Sequence, residues 1–201
     1  MGLTGGIAAG KSVVTARLRE LGIVVIDHDL LARAVVEPGT SGLAEISSAF
    51  GAGVLTASGE LDRALLGAQV FGDRRARIVL NGIIHPRVAE AAAKQERTLV
   101  ERGARIVVHD VPLLVETGRA EHFDEVIVVD TPAAVRVERL VETRGLSRPD
   151  ALARLAAQAS DGARSAVADH VLDGAGSCDG LRRQVDVLVA AWRGRGEAGT
   201  R

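Results

Sequence analysis

Gly5-Gly6-Ile7-Ala8-Ala9-Gly10-Lys11-Ser12 satisfies the spacing G-x-x-x-x-G-K-[ST] at every fixed position. That spacing serves anion binding. Backbone N–H groups turn inward around phosphate oxygens, and glycine is needed where the chain approaches without a Cβ or takes a positive φ. Lys11 is placed to reach the β- and γ-phosphates, and Ser12 to offer its hydroxyl to Mg²⁺. The plain alternative is a Gly-rich turn that only caps a helix. Two features weigh against it. Gly2-Leu3-Thr4 precedes the loop, and Ser12 to Leu21 follows it with apolar residues at helical spacing, so the context is strand, loop, helix. Of 25 basic residues only Lys11 and Lys94 are lysine; a chain that otherwise uses arginine keeps lysine where a slim point charge suits a phosphate.

Three further groups of residues bear on the same chemistry. Asp27-His28-Asp29 follows the β-branched run Ile23-Val24-Val25-Ile26 and puts two carboxylates at a strand's carboxyl end, the edge where open α/β sheets bind ligands. A carboxylate there can orient and deprotonate an attacking hydroxyl; alternatively Asp29 only caps a helix from Leu30 to Val36. Asp110 ends the apolar strand Arg105 to His109, where a second acid of a nucleotide site sits, although strand-end acids are also common turn formers. Arg136, Arg139 and Arg144 lie on a helix that starts at Thr131-Pro132, with Arg164 beyond a second helix that follows Ser147-Arg148-Pro149-Asp150 and runs to about Ser160. Arg136 and Arg139 share a face at i, i+3. They form either a phosphate-closing lid or an ordinary solvated helix face.

The elements that must position these residues are strands alternating with helices, beginning with the phosphate loop. That pattern predicts an α/β fold, a doubly wound parallel sheet of P-loop NTPase type. Strands are expected at Gly2–Thr4, Ile23–Ile26, Arg105–Asp110, Glu125–Val129 and Asp169–Leu172. From Glu37 to about Gly103 only helical patterns occur: Leu43–Phe50, Leu61–Phe71, Arg74–Ile84 and Arg87–Glu101, with His85-Pro86 expected to break the last two apart and His85 either a plain cap residue or a functional one. A closing helix spans Ser177 to Trp192, and the tail Gly194–Arg201 is expected to fray. The 201 residues fit one domain: a core of about 1–30, 104–130 and 165–193, a helical insertion of about 31–103, and a lid of about 131–164.

Composition narrows the class. Aromatic residues are 2% of the chain, so the core must be aliphatic. A net charge of −1 argues against a nucleic-acid binder. One cysteine, Cys178, allows neither an internal disulfide nor a metal cluster, no apolar run reaches membrane-spanning length, and no leader pattern opens the chain; a cytoplasmic protein without membrane partners is expected, a monomer or weak homo-oligomer. A helical insertion and an Arg-bearing helical pair are what a phosphoryl-transfer enzyme needs as acceptor clamp and water-excluding lid. No Asn-Lys-x-Asp segment is present, which argues against a GTPase switch, and a regulatory ATPase module is the other rival.

The ordered set of motifs resembles the dephospho-CoA kinase family over nearly the whole chain. The carrying segments are Gly2 to Ile7 with Gly10-Lys11-Ser12, Val25 to Asp29 with Ala32-Arg33, Val35 to Thr40 with Gly42-Leu43, Leu61-Asp62-Arg63, Leu80-Asn81 with His85-Pro86, Asp110-Val111-Pro112-Leu113-Leu114, and Ala156 to Ser160. The resemblance implies transfer of the ATP γ-phosphoryl group to the ribose 3′-hydroxyl of dephospho-CoA, giving CoA and ADP. It implies Lys11, Asp29 and Arg139 as catalytic, with Asp29 the base. Gly6, Ala8, Ala9, Gly10, Lys11, Ser12, Val13 and Arg144 would hold ATP. Asp27, Asp29, His85, Leu113, Leu114 and Glu116 would line the acceptor, and Ser12 with Asp110 would face Mg²⁺. Three positions depart from the family pattern: Val13 for a common Thr, His28 for a small residue, and Gly174 for the Asn usual after the last strand, which leaves only backbone to read an adenine there.

Overall fold

The computed structural model describes residues 1–198. Five short strands, β1 (Gly2–Gly5), β2 (Val24–Asp27), β3 (Val107–Asp110), β4 (Val126–Asp130) and β5 (His170–Asp173), form one sheet in the order β2-β3-β1-β4-β5. β1 runs parallel to both β3 and β4, and β4 parallel to β5, with Leu3 opposite Asp110 and Ile127. Each strand falls within about two residues of its expected position, because β-branched runs buried on both faces leave little room for another structure. Alternation along β4 divides the core. Ile127 and Val129 pack with Val14 and Leu18 of α1 (Lys11–Glu20) and with Leu181, Val185 and Trp192 of α9 (Cys178–Ala198), while Val126 and Val128 join Val111 and Leu114 in a second cluster. The sheet is therefore clad on both faces in the doubly wound manner.

β1 is central, with β3 on one side and β4 on the other. The chain passes to opposite sides of β1 after it, so the crevice outside the carboxyl end of β1 is the switch point where such sheets bind ligands. The phosphate loop leaves β1 at that place.

The chain divides into two compact units, one built from residues 1–26 and the described residues from 104 onward, the other from 27–103. The second unit is helical: α2 (His28–Ala34), α3 (Ser41–Phe50), α4 (Arg63–Val70) and α5 (Arg74–Glu101) surround a core of Val36, Ile46, Val54, Leu66 and Ile83. Side-chain caps set its helix starts. Thr40 accepts from Leu43 N, Asp62 from Ala64 N and Leu65 N, and Asp73 from Arg75 N and Ala76 N. Pro86 does not end a helix. It lies inside the 28-residue α5, and His85 is an exposed mid-helix residue, not a cap. The residue four back, whose carbonyl the proline ring crowds, is Gly82, and Arg87 Nη1 donates to Ile83 O at 2.7 Å, supplying a partner where a proline loosens the ladder.

In the first unit, α6 (Ala133–Arg144), α7 (Arg148–Ala156) and the one-turn α8 (Asp161–Ser165) carry the arginines. Thr131 does not cap α6 with its hydroxyl; Pro132 holds the N-cap position and the Thr131 hydroxyl is spent elsewhere. Ser160 is the N-cap of α8, accepting from Ala163 N, so α7 ends earlier than expected. α9 continues to Ala198, past the tail expected to fray, and residues 199–201 lie outside the described residues. No helix of the described residues is long and apolar enough to cross a membrane.

Candidate active site

Between β1 and α1 the loop closes on itself, Ala9 N donating to Gly6 O at 3.0 Å. Gly10 caps α1 at φ 107°, where a side chain is strained, and Ala8 sits at φ 60°, the one non-glycine residue in that region among the described residues. The cost at Ala8 is about 1 kcal/mol. Among the described residues the N–H groups of Ala8, Gly10, Lys11 and Ser12 donate to no protein acceptor. The first turn of α1 contains no acidic residue. Four convergent donors at the positive end of an uncompensated helix dipole make an anion site. Lys11 points its ammonium at the Asp110 carboxylate; both side chains are nearly buried, at 19% and 11% exposure.

The loop's outward groups are held by the helices after β4. Ile7 N donates to Gln158 Oε1 at 2.8 Å. Arg139 Nη1 donates to Ala8 O at 3.2 Å and Ala9 O at 3.5 Å, and its Nη2 to Gly174 O at 2.6 Å. The Thr131 hydroxyl donates to Ala9 O at 2.9 Å. Ile7 and Ala8 pack against Val137, Leu140 and Ala151. Two glycines are required by this closeness: a Cβ at Gly6 would lie 2.2 Å from Arg136 Nη1, and one at Gly174 2.2 Å from Ala9 O. Gly174 is thus a packing residue of the phosphate loop, and no side chain fits there to read a base.

The arginines separate into two kinds. Arg136 and Arg164 are buried, not solvated, and share the Asp161 carboxylate, Arg136 Nη2 at 2.6 Å. Arg136 Nε also donates to Thr131 O at 2.8 Å. Arg139 is half-buried on the loop and Arg144 is exposed. Arg139 and Arg144, with Gly10, Ser12, Gly174 and Cys178, line a cavity of about 300 Å³ at the mouth of the loop, to which Val13 contributes from α1. A larger open groove of about 650 Å³ lies between β5 and α9 and contains no loop residue, so chemistry and not size selects the smaller one. The segment Ala156 to Ser160 carries the resemblance but gives Gln158 no role at this loop, and nothing local marks Thr131 or Cys178.

In the helical unit, the Asp pair is resolved by capping. Asp27 Oδ1 accepts from Asp29 N at 2.9 Å and Leu30 N at 3.0 Å, so Asp27 and not Asp29 caps the helix, which begins at His28. Asp29 is exposed, and its carboxylate has no hydrogen bond among the described residues. After β3, the apolar loop splits. Leu114 is fully buried with Val111, Val126 and Val128, so it supports the loop and cannot touch a ligand, while Leu113 is half-exposed. Glu116 accepts from Ala159 N at 2.8 Å.

A divalent cation is compatible with these groups. No set of three or more His, Cys, Asp or Glu converges among the described residues. Mg²⁺ takes phosphate and water oxygens with one or two protein ligands; Ser12 is exposed in the first turn of α1, and Asp110 ends the neighbouring strand.

The sequence profile of CoaE, dephospho-CoA kinase, matches residues 1–179. The chain belongs to the dephospho-CoA kinase family. It is 51% identical over 195 residues to a dephospho-CoA kinase of Leifsonia xyli subsp. xyli, covering 96% of this chain and 98% of that one. A Mycobacterium tuberculosis dephospho-CoA kinase is 51% identical over 188 residues, but the match covers 93% of this chain and 46% of the relative, so the chain spans about half of that protein's length. The structure of a dephospho-CoA kinase from Campylobacter jejuni superposes with a TM-score of 0.72 at 27% identity, covering 94% of each chain. As in any dephospho-CoA kinase, ATP is the phosphoryl donor to be housed, and the four free amides and Lys11 are the groups suited to it.

Proposed function

We propose that this chain transfers the γ-phosphoryl group of ATP to the ribose 3′-hydroxyl of dephospho-CoA, giving CoA and ADP. The observation that carries this reading is the phosphate loop, with free N–H groups at Ala8, Gly10, Lys11 and Ser12, in a chain of the dephospho-CoA kinase family. Phosphoryl transfer asks the protein for positioning and charge compensation more than for covalent chemistry. The loop amides hold the β- and γ-phosphates, and Lys11 leaves Asp110 to neutralise charge that builds on the transferring group. Ser12 and Asp110 would hold Mg²⁺, which would supply positive charge against the charge that builds on the transferring phosphoryl group. Asp29 accepts the proton of the attacking hydroxyl; its carboxylate is exposed and takes no part in the cap, whereas Asp27 Oδ1 is held by two amides. Arg139 fixes the loop carbonyls so that its amides stay turned inward, and Arg144 closes over the nucleotide. His85 and Leu113 belong to the acceptor side of this reading.

Incubation of the purified protein with ATP, Mg²⁺ and dephospho-CoA tests it. The expected product gains one phosphate on the ribose 3′ oxygen by mass and ³¹P NMR, with one ADP per CoA. ADP formation without a phosphorylated acceptor would leave a nucleotide-hydrolysing module instead.

A further inference from the structure

Between α7 and α8 two adjacent residues touch two different loops. Gln158 Oε1 accepts from Ile7 N of the phosphate loop at 2.8 Å, and Ala159 N donates to Glu116 Oε1, on the loop after β3, at 2.8 Å. The junction is itself tied down: Gln158 N donates to Leu155 O at 3.1 Å, and Arg164 Nη1 to Ala159 O at 2.7 Å. Arg164 is buried and paired with Asp161, so the Ala159 carbonyl has a fixed partner. On the other side, Thr4 Oγ1 donates to Pro112 O at 3.3 Å, and Leu114 anchors the Glu116 loop in the core. One peptide unit therefore links the nucleotide loop to the loop that follows Asp110.

We infer that Glu116 and Gln158 form a clamp, and that Glu116 is a positioning residue for ATP, acting through Ala159 and Gln158 on the Ile7 amide. This rests on the kinase reading of the same site. The residue types fit the task. Ile7 N must be held outward for the next amides to face the anion, and a neutral amide oxygen does this without setting a negative charge beside the phosphates. Glu116, farther along the chain of contacts, can carry a charge because its partner is the Ala159 N–H at an exposed site. A hydrogen bond of this kind contributes modestly to folding, so its loss is felt where geometry matters most, in the loop.

Three variants decide the matter, each measured for ADP affinity by calorimetry and for KM of ATP and of dephospho-CoA. Gln158→Met keeps the side-chain length and removes the acceptor; it is expected to weaken ADP binding about fivefold. Glu116→Ala is expected to raise KM for ATP about threefold or more. Glu116→Gln retains an acceptor oxygen and should restore the KM for ATP. The double variant Glu116→Ala with Gln158→Met should be no worse for ADP than Gln158→Met alone, since both act along one path. A rise confined to KM for dephospho-CoA in Glu116→Ala, or additive losses in the double variant, would overturn the clamp. Glu116 is exposed, so its variants fold and the comparison stands even if Gln158→Met is poorly behaved. Failure of the wild-type protein to make CoA would count against the kinase reading alone, because ADP affinity reports the clamp without any transfer.

Discussion

Replacing Gly174 with alanine tests how closely the turn after β5 is packed on the phosphate loop. The added methyl carbon would start 2.2 Å from Ala9 O, 2.4 Å from Thr131 Oγ1 and 3.1 Å from Val129 Cγ1. Ordinary C···O contacts begin near about 3.3 Å, so the loop carbonyl or the turn must move by about 1 Å. The nearest of these neighbours is backbone and cannot swing aside. Overpacking of this size costs about 1–3 kcal/mol, and for a protein of this length each kcal/mol lowers Tm by about 2–4 °C, so a fall of about 2–12 °C is expected. The same movement strains the bonds from Thr131 Oγ1 and Arg139 to Ala9 O and from Arg139 to Gly174 O. Losing one such bond at about 1–1.5 kcal/mol should raise KM for ATP about five- to tenfold. Thermal unfolding and initial rates measure both. Gly176→Ala is the control, since a Cβ at Gly176 meets nothing within 4 Å and its Tm should hold. A Gly174→Ala protein with Tm within about 1 °C of wild type and an unchanged KM for ATP would refute the packing account.

Other expectations follow from the same contacts. Lys11→Met should lower turnover by about a hundredfold or more and, because it strips the nearly buried Asp110 of an ion-pair partner, should lower Tm by about 2–8 °C; near-normal turnover would remove Lys11 from the chemistry. Asp29→Asn should keep ADP affinity but lose transfer by about a hundredfold, whereas Asp27→Asn keeps the capping oxygen and should leave stability and transfer nearly unchanged; a larger kinetic loss at Asp27 would reverse the assignment. Arg182 and then Arg17 hold the exposed Glu20 carboxyl down at about 2 against an ordinary 4.5. A depressed carboxyl stabilises the folded chain fully above its ordinary value and loses that contribution as pH falls toward 2. Melting between pH 4.5 and 2 should therefore be less steep in Glu20→Gln, and an unchanged acid profile would show the pair to be fully screened.

The parts of the fold legible in the sequence were those with a strong local cause. The strand of Val126–Val129 and the loop of Gly5–Ser12 can take few other structures, and both stand where their patterns place them. Local rules failed where longer-range packing decided. Pro86 reads as a helix break, but Arg87 Nη1 donates to Ile83 O at the loosened turn, and α5 runs through it. Asp29 reads as a cap as readily as Asp27, and only the φ of 94° below zero and the two amide bonds at Asp27 separate them. Thr131 carries the right residue type for an N-cap, yet its hydroxyl serves Ala9 O, a contact across 122 residues that no local pattern contains. The same holds for Gln158, whose partner Ile7 lies 151 residues away. Arg136 reads as a surface charge because helical spacing says nothing of Asp161, which makes its burial tolerable.

On the proposed reading dephospho-CoA is the acceptor and the chain draws on the whole of it. Initial rates of ADP formation with saturating ATP and Mg²⁺, compared for dephospho-CoA, AMP and adenosine, measure this directly. Binding energy from the parts of an acceptor remote from the reacting hydroxyl is what aligns that hydroxyl, so kcat/KM for dephospho-CoA should exceed that for AMP or adenosine by at least about a thousandfold, or about 4 kcal/mol. Comparable kcat/KM values for the three acceptors would contradict it and mark the chain as a nucleoside or nucleotide kinase of broader reach.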